Sequence, residues 1–353
     1  MSDGPRAVEA KQSTPSPMQL VFHMEGGRPY NIRIDTLSTV SPSPPPPAFQ
    51  IAPQPTQVGF FENLESLNIP ELEDLARSSD ISIVFTGNTK EFESESFDRE
   101  QLGLSLTQDS MISTIAAASS KTVVVNQTGP PVSMPWLDSV DAFLQYWFAG
   151  MEVGNATANI ISGKVNPSGH LPMTFPKSIE DVPAAANFPA DEHLDIHYVE
   201  RDRVGYRALT GEKPSPAPLF VFGQGLSYAE FEYSKFRMKR KVGDELAVEV
   251  LVDIKNTSPR TGKEVVQVYV DGLLKAFAKP LLQAGSLESL SILLDKYAFC
   301  EWDEKTILES GQEGAWKIDT RGCVIELRKD AMTRICGGVW TVDEKKGLCW
   351  RGL

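Results

Sequence analysis

The chain has 353 residues, enough for two or three domains, with 41 % apolar and 23 % charged residues, an ordinary globular balance. Its net charge of −13, from 34 basic and 47 acidic residues, argues against nucleic acid or an anionic membrane as a partner. No apolar run approaches the about 20 residues of a membrane-spanning helix.

Residues 1–17 are polar and aperiodic, which predicts disorder. The opening Met1-Ser2-Asp3-Gly4-Pro5-Arg6 has no apolar stretch behind a basic start, so no signal peptide is expected and the cytoplasm is the expected compartment. Two short strands are predicted, Gln19 to Met24 and Tyr30 to Ile34, turned at Gly26-Gly27. The Pro-rich stretch from Ser41 to Pro55 then reads as an extended loop or linker. A lone hairpin is marginal in water, so 18–55 reads as the remnant of a larger β-domain.

From Asn68 the pattern changes. A short helix is expected over Pro70 to Ala76, a buried strand over 81–86, a helix over Leu106 to Ala118 and a strand from Thr122 to Asn126. A further strand is expected from Ala142 to Phe148, then a helix from Asn155 to Ile161. Strands alternating with helices predict a parallel sheet. Residues 177–228 look irregular. After Phe231 short alternating strands, among them Leu246 to Val252 and Val265 to Val270, suggest a β-sandwich.

Some residue types carry weaker signals. Cys300, Cys323, Cys336 and Cys349 lie far apart and fit no zinc spacing, so they read as scattered buried thiols. His193 and His197 have an i, i+4 spacing, but in an irregular segment they read as surface residues, and no metal is expected. Asn126, Asn155 and Asn256 head Asn-x-Ser/Thr sequons, which matter only in a secreted chain.

The most informative stretch is Lys90-Glu91-Phe92-Glu93-Ser94-Glu95-Ser96-Phe97-Asp98-Arg99, directly after the strand at 81–86. By charge alone it is a solvated acidic loop. Its place at the carboxyl end of a strand in an α/β sheet is, however, where ligands bind. If the stretch is extended, Glu91, Glu93 and Glu95 share one side and raise one another's pKa values, as a proton donor requires.

Four motifs then follow in order. They are Gly129-Pro130-Pro131-Val132-Ser133-Met134-Pro135-Trp136, Gly163-Lys164-Val165-Asn166-Pro167-Ser168-Gly169-His170-Leu171-Pro172-Met173-Thr174-Phe175-Pro176, Pro218-Leu219-Phe220-Val221-Phe222-Gly223-Gln224-Gly225-Leu226-Ser227-Tyr228, and Glu264 to Val270. With the acidic loop, they resemble the C-terminal portion of fungal-type glycoside hydrolase family 3 β-glucosidases. The resemblance covers about 18–353. His170 and Gln224 depart from the family pattern, which has Arg and His there.

The resemblance implies an α/β sandwich domain over 56–228 and a fibronectin type III-like domain over 229–353. It also makes 18–55 the last strands and Pro-rich loop of an inserted β-domain. The implied activity is hydrolysis of terminal β-D-glucosyl residues with retention, without a cofactor. Aligning on Phe97-Asp98-Arg99 puts the general acid/base on Glu95, with Glu93 as runner-up, and makes Asp98 and Arg99 an ion pair that holds the loop. The family's nucleophile lies on an N-terminal (β/α)8 barrel of about 250 residues, and the residues before the strand at 81 are too few for one. Neither Ser2-Asp3 nor Ser79-Asp80 follows a buried strand, so neither replaces it. The expected partners are therefore a β-glucoside or oligosaccharide and a separate family 3 barrel chain. The alternative is a non-catalytic carbohydrate-binding or scaffold protein. Many relatives are secreted, which leaves secretion as the second expectation for its compartment.

Overall fold

The computed structural model describes residues 69–350 apart from 90–91, 96–98, 100, 105–106, 189, 210–216, 243, 308–310, 312, 319–321 and 342–348. The disorder expected for 1–17 and the strands and loop expected for 18–55 lie outside the described residues. The chain divides into two compact units, Met1–Leu72 and Glu73–Leu353. All that follows concerns the second, apart from the first turn of one helix.

That helix, α1 (Ile69–Ser78), carries Glu71 in its first turn and Arg77 in its last, the order a helix dipole favours. It leads into β1 (Ser82–Gly87), α2 (Gln108–Ala118), β2 (Thr122–Gln127), β3 (Ala142–Gln145) and α3 (Val153–Ile161). The strands form one parallel sheet in the order β1-β2-β3, with Ser82 opposite Thr122 and Val123 opposite Ala142. Ile112 and Ile115 of α2 bury against Val84 and Val124, closing one face of the sheet. On β1 the residues between, Ile83 and Phe85, are exposed.

β3 stops three residues short of the expected strand. Trp147 lies in the left-handed region at φ 55, which breaks the strand's alternation. The turn carries its ring into the core, edge-on to Phe175 at 5.9 Å, and leaves Phe148 outside. Phe175 in turn pairs with Phe220. Its N–H donates to the Phe220 carbonyl at 2.8 Å, and its own carbonyl accepts from Leu219 N–H at 2.8 Å. The motifs at 163–176 and 218–228 are thus two sides of one backbone contact.

After the single turn α4 (Tyr206–Leu209) the chain is strand-rich. Its strands are β4 (Phe231–Lys241), β5 (Asp244–Asn256), β6 (Gly262–Lys263), β7 (Val266–Val270), β8 (Leu273–Ala278), β9 (Leu281–Leu282), β10 (Leu287–Leu294), β11 (Cys300–Ile307), β12 (Glu313–Ile318), β13 (Cys323–Arg328), β14 (Arg334–Trp340) and β15 (Cys349–Trp350). They pair as β10-β5-β4, β14-β13-β7-β8, β11-β12-β15 and β6-β9. One core, with Val250, Ile254, Val268, Leu294, Ile325 and Leu327 at its centre, joins the two larger sheets to β12. Cys300 and Cys323 are buried and Cys336 is half-buried; the Cys349 side chain lies outside the described residues.

Gly223 couples the parallel sheet's surroundings to these strands. Its carbonyl accepts from Gln267 Nε2 at 2.9 Å and from His170 Nδ1 at 2.5 Å. At φ +81, where a Cβ would sit only 2.3 Å from Gln267 Oε1, no side chain fits.

Two of the three sequons are structural. Asn256 is fully buried and donates to the carbonyls of Arg260 and Leu282. Asn126 is fully buried at the end of β2, where its amide oxygen accepts from Thr86 Oγ1 at 3.0 Å. Its Nδ2 donates to Thr128 Oγ1 at 2.9 Å and Gln145 Oε1 at 2.8 Å. One side chain therefore ties the carboxyl ends of β1 and β3 to β2, while Asn155 stands exposed. Replacing Asn126 with Ala strands buried polar partners on both neighbouring strands. A loss of roughly 2–4 kcal/mol in urea-unfolding free energy is expected.

Candidate active site

The acidic loop leaves β1 at a clamped residue. Gly87 N–H donates to Gln108 Oε1 and the Gly87 carbonyl accepts from Gln108 Nε2, both at 2.9 Å. The first residue of α2 therefore completes the backbone pairing where the strand runs out. Asn88 N–H still reaches the Gln127 carbonyl at 3.2 Å, and then the chain turns.

The stretch is not extended where it is described between Thr89 and Glu95. Phe92 and Glu93 both donate their N–H to the Thr89 carbonyl at 3.0 Å, so the loop curls. Curling removes the period-2 alternation that was to place the carboxylates on one side. Glu91 and Asp98 lie outside the described residues.

Glu93 and Glu95 differ sharply in their surroundings. Glu93 is half-buried, with Oε1 accepting from Gly129 N–H at 2.7 Å and Oε2 lying 3.5 Å from Asn88 Nδ2. Glu95 is exposed, and no hydrogen bond or ion pair reaches its carboxylate among the described residues. Arg99 has backbone partners of its own, whereas its expected pair with Asp98 lies outside the described residues. It donates to the carbonyls of Gly103 at 3.0 Å and Pro131 at 3.5 Å. Burial lowers its pKa, and the nearby charge of Glu93 opposes that shift.

A second polar anchor lies behind the loop. Asp109 accepts from the buried Trp136 indole N–H at 2.7 Å, and burial pushes its carboxyl pKa up against the effect of that bond and one from the Leu104 backbone. Of the motif positions, His170 bonds the Gly223 carbonyl at the joint, and Gln224 Oε1 accepts from Val221 N–H at 3.2 Å within its own motif. His193 and His197 are exposed, 3.7 Å from Glu192 and 3.3 Å from Asp191.

The family model for the glycosyl hydrolase family 3 C-terminal domain matches residues 9–228. The chain belongs to glycoside hydrolase family 3. It is 38 % identical over 273 residues to beta-glucosidase B of Emericella nidulans, covering 71 % of this chain and 31 % of that protein. A thermostable beta-glucosidase B of Acetivibrio thermocellus is 38 % identical over 246 residues, covering 67 % and 32 %. Among solved structures, the beta-glucosidase of Kluyveromyces marxianus in complex with glucose matches with a TM-score of 0.71 and 33 % identity, over 81 % of this chain and 34 % of that one. This family 3 chain thus spans about a third of the length of the curated relatives it matches.

Sequence reasoning singled out the loop and missed what holds it. Gln108 passed as a helix residue and Gly129 as a turn glycine. Asn126 looked like the end of a β-branched run. A polar residue closing an apolar strand, as Asn126 does, was the one local signal to be had, since such a group needs buried partners.

The Asp109 anchor has a testable sign. Its folded pKa is raised above the ordinary Asp value of 3.8. Its stabilising contribution is therefore fully present below that value and is lost as pH rises through the folded pKa. In urea unfolding, the stability of the protein relative to Asp109→Asn should fall between pH 3 and pH 7. A difference that rises instead contradicts the assignment.

Proposed function

We propose that this chain carries the general acid/base half of a retaining β-glucosidase, with Glu95 as the proton donor. The reaction is hydrolysis of terminal non-reducing β-D-glucosyl residues. The observation that supports Glu95 is its exposed carboxylate, without a hydrogen bond or ion pair among the described residues, on a loop anchored at both ends at the carboxyl side of a parallel sheet. A donor must be able to approach a leaving-group oxygen within hydrogen-bond reach, and Glu93 already spends its carboxylate on Gly129.

Retention needs a second carboxylate about 5–5.5 Å away on the other side of the sugar. We assign that nucleophile to a family 3 barrel. The half-covered sheet supports this assignment, because parallel sheets are normally buried on both faces. Ile83 and Phe85 of β1 and Ala158 and Ile161 of α3 line an apolar cavity of about 370 Å³ that opens to solvent. The strand-rich part fits a fibronectin type III-like sandwich, as its two larger sheets share one core.

Mixing the chain with a separately made family 3 barrel should produce turnover of aryl β-glucosides that neither part shows alone. Glu95→Ala should lower that activity by about 10²–10⁴ on substrates whose leaving group needs a proton. Azide should restore part of it only where the leaving group needs none. The same rescue seen with Glu93→Ala and not with Glu95→Ala would reverse the assignment. Glucose or cellobiose binding without any turnover would favour a carbohydrate-binding protein.

A further inference from the structure

We infer that Glu93 is a positioning residue whose carboxylate, clasped to the Gly129 backbone, sets where Glu95 is presented. This rests on the reading of Glu95 as the proton donor and extends it to the neighbour that sequence alone leaves as a rival. Glu93 Oε1 accepts from Gly129 N–H at 2.7 Å, bridging the acidic loop to the turn that follows β2. The contact is charge-assisted, which makes it stronger than a neutral backbone bond.

Gly129 is shaped for that contact. A Cβ there would sit 2.2 Å from Glu93 Oε1 and 3.0 Å from the Phe148 ring. Its φ is not in the left-handed region, so the backbone itself would accept alanine. Only the space taken by the Glu93 carboxylate and the Phe148 ring excludes a side chain.

The same turn receives the other end of the loop, through Arg99 on the Pro131 carbonyl. With Asn88 beside Oε2, Glu93 faces an amide, a backbone N–H and the Arg99 charge. Two residues further on, Glu95 has no such partner among the described residues and owes its place to this clasp. A misplacement of about 1 Å is enough to cost two orders of magnitude in a proton-transfer step.

Hydrogen exchange and kinetics test the clasp together. In the chain alone, Glu93→Ala and Gly129→Ala should each speed exchange of the amide at position 129 by roughly 10–100-fold. The double variant should do no more than either single one, since both remove one contact. Glu95→Ala should leave that exchange unchanged. In the barrel-complemented enzyme, Glu93→Ala and Gly129→Ala should lower kcat far more for alkyl than for dinitrophenyl glucosides, with KM nearly constant. Azide should not rescue either variant, and Glu93→Gln should recover part of the loss because its amide oxygen can still accept from Gly129. Unchanged exchange, additive effects or equal losses on both substrates would overturn the inference. If exchange responds but the complemented wild-type protein shows no turnover, the clasp stands as geometry, while both the catalytic reading and the positioning role built on it fall.

Discussion

The buried amide of Asn126 is the contact on which the rest of the parallel sheet depends. Three strands that run the same way have no hairpin to align their ends, and a parallel pair is slightly weaker per residue than an antiparallel one. Asn126 supplies the alignment by accepting from Thr86 on β1 and donating to Gln145 on β3. The Gln145 amide then donates to the Thr128 carbonyl at 2.9 Å, extending the network into the turn after β2. Gly87 and Gly129, the two residues from which the acidic loop is held, lie within three positions of these groups. The site is therefore built on a buried polar frame, although Glu95 itself is exposed.

Coverage of that frame is uneven, and the unevenness is informative. One face of the sheet is closed by α2 and by the aromatic contacts from Trp136 through Phe143 and Phe220 to Phe175. The other leaves Phe85 61 % exposed, an unusual fate for the middle of a parallel strand. The strand-rich part has a core drawn from all four of its sheets and joins the sheet's surroundings through Gly223, Gln267 and His170. Of the two departures from the family pattern, His170 bonds the Gly223 carbonyl at this joint and Gln224 bonds Val221 within its own motif.

Two carboxylates two residues apart illustrate how identical side chains acquire different surroundings. In an extended segment Glu93 and Glu95 would have been equivalent. The turn closed by the Thr89 carbonyl separates them, placing one against a backbone N–H and the other in solvent. Polar groups that are half-buried must find partners, and an exposed one need not. Environment thus follows from local curvature, which no count of charges contains.

Sequence by itself determined the alternation of strands and helices from α1 to α3, the strand-rich remainder, the family, and the acidic loop as the feature to watch. These are carried by local patterns: β-branched runs at 122–126 and 265–270, helical spacing in α2 and ordered motifs along the chain. Tertiary structure decided the end of β3 at Gln145, where Trp147 turns into the core, and the pairing of Phe175 with Phe220. It also decided that Asn126 and Asn256 are buried frame residues and that Glu93 is clasped while Glu95 is exposed. Each of those outcomes depends on a partner far along the chain, 36 residues away for Glu93 and Gly129. Periodicity and propensity describe neighbours within a turn or a strand, and such contacts exist only once the sheet has brought the distant segments together.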